Sequence, residues 1–147
     1  MNSNPILLVE DNPDDVMFTL RAFKQNNISN EIVVAIDGEQ ALEILFPEDA
    51  EPFWPALVLL DVKLPKIDGM EVLRRIRSDP RTQSLPVVML TTSSEETDIA
   101  NSYRLGANSF VRKPVVFSDF LNAASLLGRY WLLINQPAPE WHAESRA

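Results

Sequence analysis

Apolar runs rich in Val, Leu and Ile alternate along the chain with segments whose apolar residues recur at helical spacing. Short continuous runs of this kind suit strands covered on both faces by crossover helices, so the pattern predicts a doubly wound α/β sandwich around a parallel sheet. Strands are expected near 5–10, 31–36, 56–61, 86–91 and 108–112. The first helix is expected to start near Pro13, with Asn12 as its cap, and to carry Val16, Leu20 and Phe23 on one face. The other helices are expected near 38–47, 68–78, 95–105 and 117–134.

Two features exceed a minimal five-strand unit. Pro47, Pro52 and Pro55 bracket a polar loop that contains Phe53 and Trp54 and is longer than such connections need. Its aromatics serve either as a contact surface or, as is commoner, to fold the loop back onto its own domain. The last helix has one stripe at Phe120, Ala124, Leu127 and Trp131, suited to the sheet, and a second at Leu126, Tyr130 and Leu133 that points elsewhere and calls for a partner. After Ile134 the segment Gln136-Pro137-Ala138-Pro139 stops the helix, which divides the chain into a domain over 1–134 and a short tail over 135–147.

The strand ends carry the chemistry. Ile6 to Val9 runs into Glu10-Asp11, Leu57 to Leu60 into Asp61, Val87 to Leu90 into Thr91, and Ser109 to Arg112 into Lys113-Pro114. Parallel strands share one C-terminal edge, so three carboxylates, a hydroxyl and an ammonium gather in one crevice. Crowded carboxylates repel one another, and a hard divalent cation with oxygen ligands, most simply Mg²⁺, relieves that cost. Taken singly, Asp11 is a helix cap, Asp61 a turn residue, Thr91 an ordinary strand end and Lys113 a solvated lysine. Only the set argues for a site. Asp61 is placed to attack a phosphoryl group as a nucleophile, with Thr91 and Lys113 holding the phosphoryl oxygens.

Composition narrows the partners. The chain of 147 residues is the size of one ordinary domain and contains no cysteine, which excludes disulfides, thiol nucleophiles and thiolate metal sites. Asp and Glu number 21 against 13 Lys and Arg, and the net charge of -8 opposes attraction to nucleic acid or an anionic membrane. No apolar stretch approaches the length of a membrane span, and a soluble cytoplasmic protein is expected.

The residues resemble the receiver domains of two-component response regulators. The matching segments are Val9-Glu10-Asp11-Asn12, then Asp61-Val62-Lys63-Leu64-Pro65-Lys66-Ile67-Asp68-Gly69, then Leu90-Thr91-Thr92-Ser93, and finally Phe110-Val111-Arg112-Lys113-Pro114. Their order and spacing cover roughly residues 5 to 130. The resemblance implies a flavodoxin-like five-stranded parallel sheet of order 2-1-3-4-5 with helices on both faces. It also implies that Asp61 is the phosphoacceptor for a histidine kinase, and that Glu10, Asp11, Asp61 and the backbone carbonyl of Lys63 bind Mg²⁺. By the same resemblance Thr91 and Lys113 contact the phosphoryl group, a cis bond precedes Pro114, and Thr91 and Phe110 move together on phosphorylation. Phe110 stands where the family more often has tyrosine, and without the phenol a hydrophobic inward rotamer is easier to maintain. Lys63 and Ser93 occupy positions that in the family tune phosphoryl lifetime.

The Pro-rich loop, Thr91-Thr92-Ser93 and Tyr130-Trp131-Leu132 followed by a tail look like the stand-alone regulators associated with phytochrome-type histidine kinases. That resemblance implies a light-responsive kinase as donor and a homodimer through the last helix, where Leu126, Tyr130 and Leu133 form the unpaired stripe. Two other readings compete. An aspartate-nucleophile phosphatase of the haloacid dehalogenase type carries Asp-x-Asp, whereas this chain has Asp61-Val62-Lys63 and lacks the second acid. A phosphorylation-independent interaction module does not need the complete acidic and basic set. A phosphate-binding glycine loop is absent, and the lone His142 lies in the tail, away from any relay within the fold.

Overall fold

The computed structural model describes residues 4–50, 53–92, 95–113 and 117–138. Five strands, β1 (Ile6–Val9), β2 (Ile32–Ala35), β3 (Leu57–Leu60), β4 (Val87–Thr91) and β5 (Ser109–Arg112), pair in parallel in the order β2-β1-β3-β4-β5. Five helices, α1 (Pro13–Gln25), α2 (Gly38–Leu45), α3 (Gly69–Ser78), α4 (Glu96–Arg104) and α5 (Phe117–Arg129), alternate with them. This is the expected flavodoxin-like order. Among the described residues no helix is long and apolar enough to cross a membrane.

The two-residue period of the strands divides the core. Leu7, Val9, Val58, Leu60, Val87 and Met89 pack with Leu42 and Leu45 of α2 and Val72, Leu73 and Ile76 of α3. Ile6, Leu8, Leu57, Leu59 and Val88 face the other way, onto Ala22 and Phe23 of α1 and Phe120 and Ala124 of α5. Removing such a side chain from water contributes about 2 kcal/mol, which explains why the central strands have no polar face. Phe53 and Trp54 pack against the core on the α2 and α3 side, so the aromatics of the Pro-rich loop fold back onto their own domain.

Local chemistry sets the helix ends. Asn12 caps α1, its side-chain oxygen accepting the N–H groups of Asp14 at 2.9 Å and Asp15 at 3.3 Å, with Pro13 at the first helical position. Asp37 caps α2 by accepting the Gln40 N–H at 2.7 Å. That helix stops at Leu45, short of the expected residue 47, because the residue before Pro47 is driven out of the helical region.

One expectation about a helix face is corrected, and the last helix changes its winding. Leu20 is exposed, and α1 instead buries Thr19, Ala22 and Phe23, with Val16 partly covered. The sheet sees Val16, Thr19 and Phe23 one helical turn apart, and Leu20 is rotated past that face. The last helix, expected near 117–134, spans that range as an α-helix to Arg129 followed by a π turn over Tyr130–Ile134. The wider turn is closed by the Asn135 N–H on the Tyr130 carbonyl at 2.7 Å, and it brings Leu132 into the core. A Cβ at Gly128 would lie 2.5 Å from the Ile28 side chain and 3.1 Å from Phe23, so this position lets α5 approach α1 closely.

Candidate functional site

Register puts the strand-end groups at one level. Val9 pairs with Leu60, so Glu10 and Asp61 follow side by side; the Asp61 N–H donates to the Val9 carbonyl at 3.1 Å and the Glu10 N–H to Ala35 at 2.9 Å. Thr91 ends β4 in register with Arg112, and its carbonyl accepts the Lys113 N–H at 2.6 Å. The topology therefore brings residues far apart in sequence to a single crevice.

Glu10, Asp11 and Asp61 present carboxylate oxygens that all lie within 4.8 Å of one another. Glu10 and Asp61 are buried and Asp11 is exposed. Three hard oxygen donors at this separation suit a divalent cation. The Lys113 side chain, itself buried, reaches across the cluster. Its ammonium donates to Glu10 Oε1, to Asp15 Oδ2 at 2.9 Å and to Asp61 Oδ2 at 3.2 Å. The second oxygen of each buried acid is held by backbone: Glu10 Oε2 accepts the Asn12 N–H at 3.1 Å, and Asp61 Oδ1 accepts the Lys63 N–H at 3.4 Å.

Burial pushes the Glu10 carboxyl up to about 7, and the Asp61 charge adds to the rise, while the hydrogen bond and charge of Lys113 pull against it. For Lys113, burial alone favours the neutral amine. The hydrogen bond to Glu10 and the charges of Asp61 and Glu10 outweigh it and raise the ammonium to about 12.

Thr91 is fully buried at the C-terminal end of β4, the strand next to the one that Asp61 follows. Lys63 directs its backbone N–H to Asp61, while its ammonium turns to Asp98 at 3.8 Å. The loop from Val62 to Asp68 is held against the sheet by close backbone approach at Gly69, where a Cβ would stand 1.9 Å from the Asp61 carbonyl oxygen. Phe110 is partly buried against the core on the α2 and α3 side, and its N–H donates to the Tyr103 hydroxyl at 3.1 Å. Ser93, the bond before Pro114, and His142 lie outside the described residues.

One residue at the crevice went unread in the sequence. Asp15, in the first turn of α1, completes the set of carboxylates around Lys113. It follows Asp11 by four residues and falls in the first turn of the expected helix, and that nearness to the strand-end acids is the signal that could have exposed it. Away from the crevice, Leu126, Tyr130 and Leu133 are 64%, 47% and 52% exposed, so among the described residues the second stripe of the last helix is largely uncovered.

The comparisons agree with this geometry. The family model described as "Response regulator receiver domain" matches residues 6–125. The probable methanogenesis regulatory protein FilR2 of Methanothrix harundinacea is 40% identical over 136 residues, covering 91% of this chain and 88% of that protein. Response regulator Rcp1 of Synechocystis is 37% identical over 136 residues, covering 88% of this chain and 92% of Rcp1. The crystal structure of its Mn(2+)-bound form superposes with a TM-score of 0.85 over 92% of this chain and 99% of that one. The phosphorylated cyanobacterial phytochrome response regulator RcpA superposes with a TM-score of 0.86 at 36% identity, over 92% of this chain and 99% of that one. With the strand order, the strand-end acids and lysine, and a family match running from β1 into α5, the chain belongs to the receiver domains of response regulators.

Proposed function

We propose that residues 1–134 form a receiver domain, followed by a tail over 135–147, in which Asp61 accepts a phosphoryl group from a histidine kinase and a change of conformation carries the signal. The observation that supports this most directly is the convergence of the Lys113 ammonium with the carboxylates of Glu10 and Asp61 at the C-terminal edge of the sheet. In the transfer, an Asp61 oxygen forms a new O–P bond while the P–N bond of the donor phosphohistidine breaks, and the departing imidazole nitrogen takes up a proton. Thr91 offers a hydroxyl and Lys113 an ammonium to the phosphoryl oxygens, so the charge there meets groups already in place. The carboxylates of Glu10, Asp11 and Asp61 with the Lys63 carbonyl would hold Mg²⁺, and the close spacing of the three acids supports that assignment. When bound, the ion supplies positive charge that offsets the repulsion among these acids and the phosphoryl oxygens.

The domain acts as a phosphoacceptor with at most slow self-dephosphorylation, and Thr91 and Phe110 form its internal switch. A phytochrome-type kinase as donor is supported by the similarity to RcpA, a phytochrome response regulator. The exposed stripe of Leu126, Tyr130 and Leu133 supports a homodimer through the last helix, since a symmetric pairing would bury the same patch of each copy.

Labelling by a small acyl phosphate in the presence of Mg²⁺ tests the acceptor. The wild-type chain should take up one phosphoryl group and Asp61→Asn none. Undiminished labelling of Asp61→Asn overturns the assignment.

A further inference from the structure

We propose that Asp15 is the positioning residue for Lys113, the anchor that keeps the ammonium at the phosphoryl site while Glu10 and Asp61 serve other groups; this rests on the acceptor reading above. An ammonium has three N–H donors, and here each finds one carboxylate: Glu10, Asp15 and Asp61. Two of those three carboxylates have second duties. Glu10 and Asp61 belong to the cluster suited to a divalent cation, and Asp61 is also the nucleophile, whereas Asp15 stands outside that cluster. Once a phosphoryl group sits on Asp61, the N–H that faced Asp61 turns to a phosphoryl oxygen. Asp15 is then the acid left to hold the ammonium in place.

The backbone fixes Asp15 for this task. Its N–H is bound by the Asn12 cap, its carbonyl accepts the Thr19 hydroxyl at 2.9 Å, and the Asn12 N–H in turn holds Glu10. The start of α1 thus sets the two acids and the lysine relative to one another. A charge-assisted bond to a largely buried ammonium is stronger than a neutral one, so losing the Asp15 charge should loosen Lys113 more than it disturbs the helix. Asp14 provides the matched control. It lies in the same helical turn with the same charge, but it is exposed.

The rate of labelling by a small acyl phosphate at saturating Mg²⁺ tests the inference. Asp15→Asn should slow uptake about tenfold, and Asp14→Asn should stay within about twofold of wild type. Asp15→Glu should recover most of the lost rate. In a Lys113→Ala background, Asp15→Asn should cost nothing further, because the group it positions is gone. Two readouts are independent of turnover. Mg²⁺ affinity of Asp15→Asn, measured by titration, should fall no more than that of Asp14→Asn. In the metal-free protein, the melting-temperature losses of Asp15→Asn and Lys113→Ala should fail to add in the double variant. Wild-type uptake in Asp15→Asn, or the same loss with and without Lys113, overturns the inference and leaves the acceptor reading intact. A wild-type chain that takes no label overturns the acceptor reading and this inference with it.

Discussion

Glu10 shows how a single buried group couples the crevice to pH. Its carboxyl rises from an ordinary value of 4.5 to about 7, chiefly because burial disfavours the charged form. The folded chain therefore holds a proton that the unfolded chain has released between these two values. Its contribution to stability is fully present below 4.5 and is lost as pH rises through about 7. Relative to Glu10→Gln, the metal-free wild type should lose on the order of 2 kcal/mol between about pH 5 and about pH 8. Divalent cation at the upper pH should recover part of it, since positive charge then faces the ionised acid. Paired thermal melts of the two proteins across that range measure the difference. A wild-type minus variant difference that is flat with pH would refute the assignment of the shift to Glu10.

At the scale of the elements, α3 is tied to the sheet by an arginine that the strand and helix pattern does not announce. Arg77 donates to the carbonyls of Gly106 and Leu85, each at 2.7 Å, to Gln83 at 3.2 Å, and to Asn108 Oδ1 at 2.9 Å. Asn108 Oδ1 also accepts the Val87 N–H at 2.8 Å, so one guanidinium joins α3 to the segments that enter β4 and β5. Those strands carry Thr91 and Lys113 at their far ends. Arg77→Ala leaves several carbonyls without their donor and should lower stability by about 2–3 kcal/mol, measured by urea unfolding. Arg77→Lys should recover little of this, because an ammonium cannot reproduce the planar fork. Full recovery with lysine would show that charge alone is sufficient. The π turn at Tyr130–Ile134 is a second tie at this scale, seating Leu132 in the core while Leu133 and Ile134 stay exposed.

At the scale of the whole molecule, the exposed stripe on the last helix sets an expectation for assembly. Leu126 and Tyr130 border a groove with Val111 of β5 and Ala123, Leu127 and Trp131, at the free edge of the sheet. A second copy related by two-fold symmetry would bury this surface from both sides. Tyr130→Glu combined with Leu133→Glu should reduce the mass seen by light scattering to that of one chain, with the circular dichroism spectrum unchanged. A wild type that remains monomeric at high concentration, with and without phosphodonor, excludes the dimer.

The sequence by itself determined the strands, their crossovers and the strand-end acids, hydroxyl and lysine. Each rests on a local signal: continuous Val, Leu and Ile runs, a helical apolar period, and a polar residue where each run stops. Two-sided burial implies a parallel sheet covered by helices on both faces, while the order β2-β1-β3-β4-β5 is implied by the family resemblance that the crevice motifs carry. Tertiary structure alone decided what depends on the rotation and approach of whole elements. Leu20 turned outward because the orientation of α1 on the sheet favours Thr19 and Phe23. Phe53 and Trp54 turned inward because the core on the α2 and α3 side covers them. Asp15 became a partner of Lys113, 98 residues away, because the Asn12 cap aims the first turn of α1 across the sheet edge. A one-dimensional pattern fixes which residues lie near one another around a helix; which of them face the sheet, and which distant charge they meet, is set by how the helix docks.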